Sequence, residues 1–216
     1  GKLIVAYLKW GDDTRLEEDP ITYLYELYVR FHREAEENSA LDEEARQWFK
    51  KLEDGDEQAR QLWQRFRDLS LAEFKRIYNI LGVHFDSYQG ESYYNEMLDD
   101  TVRQVEEQDL AEVSEGALIV NLEDEKMPPC LLRKQDGATL YATRDLCAAI
   151  YRHQMYDFSK MLYVVGADQA LHFQQVFTVL KKMGHEWADA CAHVPFGLIR
   201  FKEGKTGIII NLYVPD

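Results

Sequence analysis

The chain has 216 residues, of which 46% are hydrophobic, and it carries 39 acidic against 25 basic residues, a formal net charge of −14. This length suffices for one large domain or two small ones, and so acidic a surface repels nucleic-acid phosphate, which argues against a free-standing nucleic-acid-binding module. No apolar run is long enough to span a bilayer, and the 3 cysteines lie far apart, which favours reduced thiols in a cytoplasmic protein over disulfides or a zinc site.

The first two-thirds of the chain has the periodicity of amphipathic helices. Asp19 followed by Pro20 is a typical helix start, and Ser70 with Glu73 forms a capping box that predicts a separate later helix ending at Gly82. A further helix is expected over residues 91–107. Four apolar stripes at helical spacing are expected to be buried: Leu24, Leu27, Tyr28 and Phe31; Trp48, Phe49 and Leu52; Leu62, Trp63 and Phe66; Phe74, Ile77, Tyr78 and Leu81.

After residue 115 strands and helices alternate. A strand is expected in "ALIVNL", and a hairpin turning at Asp136-Gly137 is expected in "CLLRKQDGATLYA". Thr143 is predicted to cap the helix "TRDLCAAIYRH", and the buried strand "KMLYVVG" follows it. Asp168 is predicted to cap the next helix, which ends at Gly184 before the strand "HVPFGLIRF". This alternation predicts βαβ units with a parallel sheet, in which ligands lie beyond the carboxyl ends of the strands.

Two turns meet that rule, "YATRD" and "GADQ". They offer Tyr141 and Asp145 at one helix start, and Gln169 and His172 at the next. The positive end of the helix dipole would favour the charge of Asp145 if it lies in the first turn. A carboxylate with a phenol and an amide suits a guanidinium, which pairs with a carboxylate in two parallel hydrogen bonds. The alternative is that these residues are structural: Asp145 as an acid near a helix start, Tyr141 as a strand residue and His172 as a histidine of the core. The excess of acidic residues also has two interpretations: it would attract a basic ligand or partner, or it would only solvate the exposed faces of the helices.

The tripeptide Gly204-Lys205-Thr206 has the ending of a P-loop. A P-loop requires a glycine five positions before Gly204, and Ile199 stands there instead. The segment that follows, "TGIIINLYV", is typical of a strand, whereas a P-loop opens a helix. The sequence therefore does not predict a P-loop.

The chain resembles the catalytic region of arginyl-tRNA synthetases, a class I family, over nearly all of residues 1–205. The segments that carry the resemblance are "GKLIVAYLKWG", "PITYLYELYVRFHREAE", "FDSYQGES", "PPCLLRKQDGATLYATRDLCAAIYR", "LYVVGADQALHFQQVF" and "HVPFGLIRFKEGK". The resemblance implies an α/β chain with a partial Rossmann-type parallel sheet and a largely helical insertion. Residues 1–35 would belong to the first half of the nucleotide-binding fold, 36–138 to the insertion with its terminal hairpin, and 139–205 to the second half, before an unmatched tail, 206–216.

The family activates arginine with ATP and transfers it to tRNA. The resemblance implies that Tyr141, Asp145 and Gln169 hold the arginine side chain and that His172 lies close to the nucleotide. Lys205 matches the start of the K-M-S-K-type loop, which stabilises the triphosphate. Mg²⁺ is expected to arrive with ATP, and no protein-bound metal, membrane or DNA partner is expected.

Two departures from the family pattern affect the predicted activity. No H-I-G-H motif, whose histidines stabilise the transition-state phosphate, occurs in the 216 residues, and Thr206-Gly207 interrupts the K-M-S-K-type loop. Because the H-I-G-H motif is absent, no catalytic residue is assigned. Segments matching the tRNA-binding domains of the family are not present in these residues either. We expect a part of a cytoplasmic arginine–tRNA ligase that is inactive alone. The alternative is a truncated or diverged synthetase-like binding module.

Overall fold

The computed structural model describes residues 1–135 and 137–197. Contacts divide the chain into two compact units, residues 1–87 and residues from 88 onward, and each is described by itself. The predictions on Asp136, on Lys205 and on the tail 206–216 lie outside the described residues. The division at residues 35, 138 and 205 refers to the fold of a larger enzyme and stays a prediction.

Residues 1–87 form a helical unit. Its helices are α1 (Lys2–Trp10), α2 (Asp13–Glu18), α3 (Pro20–Glu37), α4 (Ala40–Glu53) and α5 (Glu57–Leu81). Asp19 caps α3 as predicted, because its side chain accepts a hydrogen bond from the backbone N–H of Thr22 and Pro20 occupies the first turn. One apolar core joins these helices, and its largest members include Ile4, Val5, Leu16, Leu24, Leu27, Phe31 and Phe66.

The prediction of a separate helix beginning at Ser70 is wrong, because α5 runs without interruption to Leu81 and ends at Gly82, whose φ is +67°. α5 has 25 residues against 14 in α4, and its last turns extend past the core. Phe74 and Ile77 are consequently 44% and 39% exposed. Three other members of the predicted core stripes are also exposed: Tyr28, Phe49 and Leu81.

The second unit combines helices with two small sheets. Its helices are α6 (Leu98–Glu107), α7 (Tyr141–Tyr156) and α8 (Ala170–Lys182), and 3₁₀ turns cover Glu91–Met97, Glu123–Glu125, Ala167–Gln169 and Glu186–Ala190. Strands β1 (Ala111–Ser114), β2 (Ala117–Val120) and β3 (Cys130–Arg133) form an antiparallel sheet in that order. Strands β4 (Met161–Gly166) and β5 (Cys191–Phe196) pair in parallel.

The parallel pair confirms the predicted βαβ unit. β4 and β5 are in register from Met161 opposite Cys191 to Gly166 opposite Phe196, and α8 is the crossover between them. The core of this unit contains Leu132 from β3, Leu146 from α7 and Val176 from α8, all fully buried. The β3, α7 and α8 elements thus share one core, which fixes the place of the helix starts that carry the candidate residues.

Three local predictions in this unit need correction. The second strand of the predicted hairpin is reduced, among the described residues, to a single antiparallel bridge between Arg133 and Thr139. Thr143 is not a cap, because α7 already begins at Tyr141. Asp168 is not the cap of α8 either, since a 3₁₀ turn, Ala167–Gln169, precedes the helix.

Candidate functional site

The start of α7 is fixed to the end of β3 by buried hydrogen bonds. The Thr143 hydroxyl is completely buried and donates to the carbonyl of Leu132 at 2.6 Å. The backbone N–H of Leu140 donates to the same carbonyl at 3.0 Å. Two donors on one carbonyl hold the first turn of α7 against the sheet, so side chains on this turn start from a defined position.

Asp145 and His172 form a direct contact between α7 and α8. The His172 Nε2 and the Asp145 Oδ2 lie 2.6 Å apart, and the side chains are 21% and 33% exposed, respectively. The carboxylate is therefore half-buried and open to solvent on one side. The prediction that Asp145 lies in the first turn of its helix is wrong, because α7 starts four residues earlier, at Tyr141, and the favourable field of a helix N-terminus is confined to about the first turn.

Tyr141 and Gln169 lie at the starts of the same two helices. Tyr141 is 67% exposed and lies one turn before Asp145, a spacing that places both side chains on one face of α7. Gln169 is an exposed residue three positions before His172, at the start of α8. Among the residues that the structure describes, neither side chain makes a hydrogen bond to another residue. Their phenol and amide groups are thus available to a ligand.

An aromatic layer supports the His172 side of the contact. The His172 ring meets the buried ring of Phe173 edge-on with centroids 5.1 Å apart, and Phe173 stacks on His193 of β5 at 4.9 Å. His193 Nε2 donates to the carbonyl of Val165 at 2.9 Å, so this histidine also links β5 to β4. α8 is thereby held against the parallel pair.

Tyr163 of β4 is a buried residue next to this site that the sequence did not single out. Burial raises the pKa of its phenol, and the negative charge of Asp145 contributes to the same shift. Its hydroxyl is buried, and its ring lies 5.9 Å from the Arg152 guanidinium carbon. The alternation of β4 puts Tyr163 on the inner face, but its proximity to Arg152 and Asp145 of α7 becomes visible only in the tertiary structure.

The candidate residues of this site are one carboxylate, one phenol, one amide and one imidazole, contributed by Asp145, Tyr141, Gln169 and His172. No group of three or more His, Cys, Asp or Glu side chains that could hold a metal occurs in residues 1–135 and 137–197. A carboxylate, a phenol and an amide are together the kinds of acceptor that suit a donor-rich planar cation. Also within the described part of the chain, no helix is both long and apolar enough to cross a membrane.

Comparison with known sequences gives one consistent result. The family model described as "tRNA synthetases class I (R), catalytic domain" matches residues 1–209. The chain is 59% identical over 205 residues to arginine–tRNA ligase 2 of Bacillus anthracis and 55% identical over 205 residues to arginine–tRNA ligase of Clostridium perfringens. Each alignment covers 95% of the chain and 36% of the relative, so the chain spans about a third of their length.

Solved structures agree with the sequence comparison. Arginyl-tRNA synthetase from Plasmodium falciparum superposes with a TM-score of 0.71 at 28% identity, covering 91% of this chain and 33% of that one. The Thermus thermophilus arginyl-tRNA synthetase gives a TM-score of 0.69 at 16% identity over 91% of this chain and 39% of that one, which compares the fold alone. The mixed helical and parallel-strand architecture predicted from the sequence is confirmed by these neighbours.

Proposed function

Because the chain belongs to the family of class I arginyl-tRNA synthetase catalytic domains, we propose that it is part of an arginine–tRNA ligase. The complete enzyme would join arginine to ATP as an adenylate and transfer the arginyl group to tRNA in the cytoplasm. The observation that carries the proposal is the family match over residues 1–209, together with the half-buried carboxylate of Asp145 in the second turn of α7.

In this proposal Asp145 binds the guanidinium group of arginine. Its half-buried carboxylate would pair with the guanidinium, and a charge-assisted pair is among the stronger hydrogen bonds in proteins. Tyr141 and Gln169 would add neutral acceptors on either side, since both are exposed on the turns that lead into α7 and α8. This division of roles would select arginine over lysine, because an ammonium lacks the planar fork of donors.

ATP, magnesium and tRNA enter the proposal through the family. Mg²⁺ is usually bound through one or two carboxylates together with substrate phosphates, so it would arrive with ATP. Lys205 stays the residue proposed to lie close to the nucleotide, whereas His172, for which the resemblance implies the same place, contacts Asp145 in the structure. The tRNA contacts would come mainly from parts of the enzyme beyond the region matched here.

Replacement of Asp145 by asparagine tests the arginine site. Asp145→Asn keeps the size of the side chain and removes its charge, and losing a charge-assisted hydrogen bond costs about 1.5–3 kcal/mol. In the complete enzyme, arginine-dependent ATP–pyrophosphate exchange should then show a KM for arginine raised by ~10-fold or more. Asp157→Asn is the matched control, because Asp157 is an exposed acid at the other end of α7. An unchanged KM for arginine in Asp145→Asn would remove Asp145 from the site.

A further inference from the structure

The contact between His172 and Asp145 has a consequence for arginine recognition. We propose that His172 is a positioning residue of the arginine site, which holds the Asp145 carboxylate in the orientation that receives the guanidinium. The inference rests on the proposed function of Asp145 and assigns His172 to the arginine side of the site. The contact that carries it is the 2.6 Å hydrogen bond between the His172 Nε2 and the Asp145 Oδ2.

An aspartate carboxylate needs such a partner to be pre-organised. The last torsion of an Asp side chain has a broad, roughly two-fold profile, so the plane of the carboxylate is poorly fixed by its own rotamer. In the part of the chain that the structure describes, His172 is the one side chain hydrogen-bonded to Asp145. The imidazole N–H therefore fixes the plane, while the Oδ1 atom remains free to accept donors of a ligand.

Packing of α8 on the parallel strands also fixes the imidazole ring of His172. Its ring packs edge-on against Phe173, which is buried and stacks on His193. His193 in turn donates to the Val165 carbonyl in the neighbouring strand. A donor mounted on a helix and supported by a packed aromatic layer keeps its position better than a donor on a loop. The orientation of Asp145 is thus set by the packing of α8 on the parallel strands.

Two other roles for His172 give different outcomes in the same assay. If the imidazole contacted the nucleotide instead, its loss would raise the KM for ATP. If it occupied the place of a guanidinium nitrogen and competed with the ligand, its loss would strengthen arginine binding. A positioning role predicts that the KM for arginine rises while the KM for ATP stays unchanged, because the substitution removes only the hydrogen-bond partner of Asp145.

The test compares two amides at one position in the complete enzyme. In His172→Gln the side-chain nitrogen reaches about as far as the imidazole Nε2, whereas in His172→Asn it falls short of Asp145. We expect His172→Asn to raise the KM for arginine ~10-fold, the effect of losing one hydrogen bond to a charged group, and His172→Gln to restore most of the difference. The KM for ATP should stay unchanged in both. His172→Leu cannot donate a hydrogen bond and should raise the KM for arginine as much as His172→Asn does. This variant shows whether the effect of His172→Asn comes from the lost hydrogen bond or from a local disturbance by the short amide.

The controls separate this inference from the proposed function. Gln174→Leu changes an exposed polar residue of the same helix and should leave both KM values unchanged. Equal KM values for arginine in the Asn, Leu, Gln and unmodified enzymes would overturn the positioning role, as would a lower KM for arginine or a higher KM for ATP in Asn and Leu. If Asp145→Asn is also without effect, the proposed arginine site itself is wrong; if it raises the KM for arginine, only the role of His172 fails.

Discussion

Thr143 shows how a single residue can have a different role from the one its position predicts. Its hydroxyl is buried and donates to the Leu132 carbonyl at 2.6 Å, which fastens α7 to β3 instead of capping the helix. The isosteric change Thr143→Val removes that donor and should lower the free energy of unfolding by about 1–3 kcal/mol. Urea unfolding measures the change. Thr178→Val in α8 makes the same substitution at a half-buried helix position and should cost clearly less; equal losses would contradict the anchoring role.

His185 makes the stability of the second unit depend on pH. Its Nε2 atom is buried and has no hydrogen-bond partner among the residues that the structure describes. Burial lowers the pKa of this imidazole, and the nearby His153 lowers it further. Its pKa in the folded chain lies below its value in the unfolded chain, so the unfolded chain binds more protons once the pH falls below about 6.5. The contribution of His185 to stability is therefore complete above that pH and is lost as the pH decreases toward the folded-state pKa.

Removing the titrating group tests this pH dependence. His185→Phe retains a ring against Trp187, whose centroid lies 4.9 Å from that of His185. The fall in stability between pH 7.5 and pH 5 should be smaller in this variant, with about 6.5 as the upper end of the affected range. Hydrogen exchange of the α8 amides as a function of pH reports it. His84→Phe, a change at an exposed histidine, should keep the original pH dependence, and an identical profile for both variants would refute the assignment to His185.

At the scale of elements, α5 shows why helix boundaries are hard to predict. Ser70 and Glu73 have the spacing of a capping box, yet the backbone there continues in a helix from Glu57 to Leu81. A capping box matters only where the chain enters a helix, because only there are backbone N–H groups without partners. At residue 70 the preceding turn already satisfies them.

This difference can be measured with two alanine variants. Asp56 is the true cap of α5, since its carboxylate accepts from the Ala59 N–H at 2.9 Å. Asp56→Ala should therefore lower the free energy of unfolding by about 1 kcal/mol. Ser70→Ala should change it by less than about 0.5 kcal/mol, because alanine is the better helix former in an interior turn. Unfolding followed by circular dichroism measures both changes. A larger loss of unfolding free energy in Ser70→Ala than in Asp56→Ala would support two separate helices instead of one.

The parallel pair β4 and β5 has an apolar outer face. Leu162, Val164 and Val194 are exposed there, while Tyr163 on the other face is buried. Parallel strands in α/β proteins are normally covered on both faces. In the described part of the chain this face of the pair stays exposed, and the continuous apolar sequence of β4, MLYVVG, is typical of a strand with two apolar faces.

For the molecule as a whole, we expect no arginine-dependent ATP–pyrophosphate exchange from these 216 residues alone. The sequence has no H-I-G-H motif, and Thr206-Gly207 interrupts the K-M-S-K-type loop; removing even one contact to the reacting phosphates typically costs ~10²–10³ in rate. The assay uses the purified chain, with and without tRNA, beside an Asp145→Asn control. Exchange above that control would show that other residues of the chain bind the phosphates.

The sequence by itself determined the family, the alternation of strands and helices after residue 115, and the residues at the starts of α7 and α8. These features depend on local patterns: an Asp-Pro start, glycine stops, apolar periodicity and specific segments such as "DGATLYATRDL". Asp19 and Gly82 behave as predicted because their effect is confined to one turn of backbone.

Only the tertiary structure decided which of the apolar stripes are core and which polar side chains meet. Phe74 and Phe31 both lie in apolar stripes with helical spacing. Phe74 is exposed because the last turns of α5 extend past the neighbouring helices, whereas Phe31 is buried in the core of the helical unit. The contact between Asp145 and His172 joins residues 27 positions apart. Their hydrogen bond depends on the packing of α7 against α8, and the free energy of that packing arises from buried surface contributed by both helices, which no local pattern encodes.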